Sequence, residues 1–185
     1  MTSEPTTSSA LIVVDLQQST LPNARAAVSA DWLANVMTLI EAFRERELPV
    51  VIATSLGTPP GRTSYADSGR DWPAGATALA SEITPADSDI RIERRGLSVF
   101  VGTDLATILR AADVAEVVIV GIATSFGVES SARAGYDLGF DVVVVSDAIA
   151  DLRRASMDHS LAHVLPVVGR VRTTADVLGT LVAPL

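Results

Sequence analysis

The sequence contains no cysteine and no lysine. The first absence excludes disulfides, thiolate metal sites and a thiol nucleophile. The second makes all fourteen basic residues arginine and removes the lysine that a receiver-like signalling domain would need. Positive charge is in deficit throughout, with a formal net charge of −8. A surface of that sign repels phosphate backbones and anionic lipid, so nucleic acid and membrane surfaces are not expected partners. Long hydrophobic runs are missing too. Stretches such as Val117 to Ile122 are far too short to cross a bilayer. Met1 to Ser9 has no basic stretch of the kind that opens a signal peptide, and reads as a frayed polar tail. A cytoplasmic location is the expectation. There is no Gly-x-Gly-x-x-Gly fingerprint. Gly57 to Thr63 has some P-loop character, but it is one residue short, has no lysine, and its prolines remove amide donors. No cofactor is expected.

What remains is a globular composition, 48% apolar and 19% charged over 185 residues, which fits one domain over residues 10–185. Ala10 to Leu16, Pro49 to Leu56, Glu116 to Ile122 and Asp141 to Asp147 are apolar runs of the kind buried on both faces of a parallel sheet. Asp89 to Arg94 alternates as a further strand, and Gly169 to Arg172 reads as a short edge strand. Helical spacing marks Ser29 to Glu47, Thr103 to about Asp113, Ser125 to Leu138 with small residues on one side, and Met157 to Leu165. Thr173 to Asp176 forms a capping box for a last helix. Gly57 to Ser88 reads as a long surface excursion with one short helix near Ala76 to Ile83. Strand alternating with helix predicts a three-layer, doubly wound α/β fold, its mostly parallel sheet covered by helices on both faces.

Such sheets bind ligands beyond the carboxyl ends of their strands. That rule selects Asp15, Thr54 and Ser55, Arg94, the turn from Ile122 to Gly127, and Asp147. Asp15 stands out because a carboxylate directly after four branched apolar residues is costly to desolvate. It is read either as functional or as a structural cap or arginine partner. The turn leaves backbone amides facing the top of the sheet, an arrangement suited to a developing oxyanion or a carboxylate. His159 and His163 share a helix face at a metal-compatible spacing, but a third ligand is lacking, so they are expected as surface residues. Trp32, Phe43, Tyr136 and Phe140 read as core or interface packing.

Asp15-Leu16-Gln17 after an apolar strand resembles the Asp-x-Gln opening of the isochorismatase-like hydrolases, which include nicotinamidases and N-carbamoyl amidases. The segment from Arg94 to Leu105 resembles the one in which that family's catalytic lysine stands six residues before a phenylalanine. Gly121 to Arg133 is similar to its signature around a nucleophilic cysteine. Val145 to Asp151 and Gly169 to Arg172 match further along, in the right order. The resemblance implies the family fold, a small-molecule substrate and a homodimer or larger homo-oligomer, with Gly57 to Ser88 as the candidate contact.

The departures redirect the chemistry. The family's acid is kept as Asp15, its lysine position holds Arg94, and its cysteine position holds Gly127. A covalent acyl-enzyme is impossible there, although some members with glycine at that position are enzymes that cleave isochorismate. The nicotinamidase metal motif is absent, so no metal is expected. An Arg94–Asp15 pair is expected to lower the Asp15 pKa and keep it ionised, favouring a base or a water-orienting group. Drift to arginine in a lysine-free chain is the other explanation for Arg94. The catalytic candidates are therefore Asp15, Arg94 and Gly127. The amides of Ile122, Ala123 and Phe126, with Gln17, are expected to hold the substrate. Two readings follow: an enzyme acting on a small anionic, amide or vinyl-ether metabolite without a covalent intermediate, or a non-catalytic relative kept for binding or assembly.

Overall fold

A computed structural model describes residues 8–64 and 69–182. β1 (Ser8–Val14), β3 (Val50–Ser55), β4 (Ile90–Arg94), β5 (Val114–Ile122), β6 (Asp141–Asp151) and β7 (Arg170–Arg172) form a sheet whose pairings are parallel. A short antiparallel strand, β2 (Ala26–Ala27), joins its edge at Ala150 and Asp151. The order is β2-β6-β5-β1-β3-β4, with β7 on the N-terminal half of β6. The chain runs outward from β1 through β3 to β4, then returns to β5 on the other side of β1. The reversal of strand order therefore falls at β1, where a crevice opens.

The apolar runs are strands because both of their faces are covered. Ala10, Ile12 and Val14 pack with α2 (Leu105–Ala111), α3 (Glu129–Asp137) and α5 (Leu165–Val168). Leu11 and Val13 pack with Trp32, Val36, Leu39, Ile40 and Phe43 of α1 (Trp32–Arg44) and with Val177 of α6 (Thr174–Val182). With side chains alternating across the sheet, only an all-apolar strand satisfies both sides. The small face expected between Ser125 and Leu138 is present as buried Ser131, Ala132 and Gly135. A Cβ on Gly135 would lie 3.2 Å from Val142, so α3 sits close on β6.

Several boundaries differ from expectation. β1 begins at Ser8, ahead of Ala10; the preceding residues of the expected tail lie outside the described residues. β6 continues past Asp147 to Asp151, with a shift of register against β5. The helix expected from Ser125 opens as a π-helical turn, Thr124–Val128. The one expected at Met157 is α4 (Arg154–His159), a π-helical turn at Ser160–Val164, and α5. Residues 76–83 do not form a helix. Their backbone pairs across to the β1 exit instead, with Gln18 N donating to Ala78 O and Ala80 N to Leu16 O. Tyr136 is exposed, unlike buried Trp32, Phe43 and Phe140. Phe140 stacks on Phe100, with the Arg110 guanidinium over its ring. His159 and His163 are exposed neighbours, and no cluster of three metal-binding side chains occurs among the described residues. No helix among the described residues is long and apolar enough to cross a membrane.

Candidate active site

At Asp15 the chain leaves β1 in the left-handed conformation, φ 51°. For a residue with a Cβ this costs about 1–2 kcal/mol, least for Asn and Asp. Surrounding bonds impose it. The Asp15 amide donates to Ala53 O of β3, and its carbonyl accepts from the Gln17 amide and the Thr20 hydroxyl. Its carboxylate Oδ2 then accepts from Arg94 Nη2 at 2.9 Å. Arg94 reaches from the tip of β4, two strands away, and its side chain is only 2% exposed. The expected pair therefore exists, at the switch point of the sheet.

The pair forms the floor of a cleft of about 670 Å³. Asp15, Gln17, Arg94, Ile122, Ala123, Phe126 and Gly127 all line it. Gly127 stands directly over the pair, its missing Cβ position being 3.5 Å from Asp15 Oδ2. Asp15 Oδ1 and Arg94 Nε are buried and have no hydrogen-bond partner among the described residues. An unmatched buried polar group costs about 1–3 kcal/mol, and more when charged. Both atoms are shielded from solvent as well as unbonded, so the pair carries an electrostatic cost where it stands.

Burial and Arg94 act in opposite directions on Asp15. Removal of the carboxyl from water raises its pKa, and this outweighs the Arg94 cation and hydrogen bond and the Ser55 amide, which lower it. This corrects the expectation of a depressed value. One hydrogen bond to a guanidinium that is itself buried does not replace the hydration of both carboxylate oxygens.

Two assigned binding roles also change. The Gln17 amide is fully engaged as a strut: Nε2 donates to Ser55 O and Thr77 O, and Oε1 accepts from Ser55 N. It fastens β1, β3 and the long excursion together, leaving no donor for a substrate. The Phe126 amide donates to Ala123 O, and the Ser125 amide to Asp151 Oδ2 at 2.7 Å. The turn is closed by its own bonds and by Asp151, so Phe126 serves the cleft with its half-exposed ring rather than its amide. Ile122 and Ala123, joined by a cis peptide, form the adjoining wall. Asp147 is outside the cleft and caps α6, accepting from the Thr174 amide and hydroxyl.

Trp72 and Arg95 are among the lining residues that sequence reasoning passed over. Trp72 Nε1 donates to Ser55 Oγ at 3.0 Å, which stands the indole against the β3 tip, and Arg95 pairs with Asp71 at the cleft wall. A tryptophan in a Gly- and Pro-rich excursion was the available signal.

Residues 9–176 match the isochorismatase domain. The chain belongs to the isochorismatase family. An uncharacterized isochorismatase family protein, YecD, of Escherichia coli O157:H7 is 33% identical over 93% of this chain and 95% of its own. A solved isochorismatase family protein from Burkholderia thailandensis superposes with a TM-score of 0.86 at 30% identity, over 95% of this chain and 96% of that one. The N-carbamoylsarcosine amidase of Thermoplasma acidophilum superposes with a TM-score of 0.69 at 26% identity, over 90% and 96% of the two chains. Within this isochorismatase-family chain, the aspartate, arginine and glycine singled out by their motifs meet at one point.

Proposed function

We propose that this protein is a hydrolase that cleaves a small metabolite by proton transfer through Asp15, without a covalent intermediate. The substrate class is a small amide, carbamoyl compound or vinyl ether, carrying an anionic group for Arg94. The observation that carries the reading is the buried Asp15–Arg94 pair at the cleft floor, each partner keeping one atom unmatched among the described residues. A relative named for amidase activity on a carbamoyl compound is in keeping with it.

Burial lets Asp15 hold a proton closer to neutral pH than an ordinary carboxyl does. Asp15 delivers that proton to the bond that will break, and water adds to the carbon left electron-poor. The proton released by that water returns to Asp15, so the carboxyl is unchanged after the cycle. Arg94 holds the anionic group and limits the charge that builds up beside it. The apolar side chains of Phe126, Trp72 and Leu97 restrict water at the mouth. Gly127 provides no nucleophile, and its backbone lies against the pair with the Arg94 guanidinium in the space a side chain would fill.

The test is turnover against a panel of small amides, carbamoyl compounds and isochorismate. Asp15→Asn is expected to lower kcat by about 10²–10⁴-fold, the contribution of a positioned proton-transfer group. Gly127 also favours a second reading, a binding relative without catalysis. That reading takes over if no compound is turned over and ligands bind Asp15→Asn as tightly as the parent. With the hydrolase reading we propose a homodimer or larger homo-oligomer, with the 57–88 excursion in the contact; a monomer in sedimentation at micromolar concentration would overturn that assignment.

A further inference from the structure

Gly127 is not required by its own backbone. Its φ lies outside the left-handed range in which Gly102, Gly121 and Gly139 stand, so an L-residue could adopt its dihedral angles. What is missing is room. A Cβ at this position would lie 2.8 Å from Val14 Cγ1 and 3.2 Å from Arg94 Nη2. That arginine nitrogen is the one bonded to Asp15. The Cβ contact with Nη2 is already tighter than ordinary van der Waals distance, so a larger side chain has to move the guanidinium or Val14. The guanidinium has little freedom to retreat, because its side chain is 2% exposed and held on Asp15.

We propose that Gly127 is a positioning residue: its missing side chain is the space that seats the Arg94 guanidinium on Asp15, so residues 94 and 127 are a matched pair. Arginine at 94 is then tied to glycine at 127 rather than to a general drift away from lysine. A thiol restored at 127 alone would not stand beside an intact acid–cation pair; it would push the guanidinium off Asp15. Lysine at 94, with a compact ammonium in place of a planar fork, would leave the thiol room. The pairing holds whether or not the site turns over a substrate.

The experiment uses Gly127→Cys, Arg94→Lys and the double variant of the full chain. The parent has no cysteine, so every thiol signal belongs to residue 127. Gly127→Cys is expected to lower Tm by on the order of 5 °C, as overpacking does in a domain this size. In the Arg94→Lys background at least half of that loss should disappear. The thiol should also react faster with iodoacetamide in the double variant, because it is no longer wedged against the guanidinium. The Asp15 carboxyl, followed by carbon-13 NMR, should titrate higher in Gly127→Cys, where its cation has been displaced, and move back in the double variant. An equal Tm loss in both backgrounds, with Asp15 titrating as in the parent, would overturn the proposal and leave Val14 as the whole obstacle. If Gly127→Cys does not fold, Gly127→Ala supports the same comparison, and a Gly127→Ala protein as stable as its parent also overturns it.

Discussion

Asp15 combines three costs that packing alone would not select: a left-handed backbone, a buried carboxyl, and one carboxylate oxygen without a partner among the described residues. Sites that hold such costs together are commonly functional. The raised pKa has a definite consequence for stability. A carboxyl whose folded pKa lies above its unfolded value of 3.8 binds its proton more tightly in the native state. Its contribution to stability is therefore fully present below the unfolded value and is lost as pH rises through the folded one. Subtracting the Tm of Asp15→Asn from that of the parent should give a difference that shrinks with rising pH above about 4. A difference that grows with pH would mean that Arg94 outweighs burial. The identity of this residue was legible from its place after an apolar run. The sign of its shift was not, because Coulomb attraction and desolvation oppose each other and only burial decides between them.

At the scale of elements, the cleft depends on how the long excursion is fastened at both ends. Gln17 anchors it near β1. Arg44, at the end of α1, grips Asp89 through Nε at 3.1 Å and Nη2 at 2.6 Å just before β4. The Asp89 side chain is 0% exposed, so removing its partner strands a buried charge. Arg44→Ala is expected to destabilise the fold by about 3–5 kcal/mol, measured by urea unfolding. A loss below about 1 kcal/mol would class the pair with ordinary surface bridges. The capping box was readable residue by residue: the Thr173 amide and hydroxyl donate to Asp176 Oδ2, and the Asp176 amide donates to Thr173 Oγ1. The π-helical turn after β5 was not. Apolar spacing marks where a helix lies but not whether its first turn is widened, and here that turn sits where the Ser125 amide bonds Asp151 from another strand. The helix expected over 76–83 failed for a related reason, since the Ala80 amide and the Ala76, Thr77 and Ala78 carbonyls found partners on a distant segment.

For the molecule as a whole, the cleft joins strand tips to the excursion, and Trp72 reports on both. The sequence has two tryptophans, and the other, Trp32, is buried in the core at the start of α1. In a Trp32→Phe variant, Trp72 is the lone indole, and its emission should shift when a ligand fills the cleft. An unchanged spectrum at saturating ligand would place binding elsewhere. The parallel sheet, its order of elements and its family could all be read from the sequence, because burial on two faces forces uninterrupted apolar runs and the motifs mark the strand tips. Only the tertiary structure decided what those tips do together. It brought Arg94 across β3 onto Asp15, turned Gln17 from a binding residue into a strut, and set the Arg94 guanidinium against Gly127. Each depends on distances between segments far apart in the chain, which local patterning does not encode.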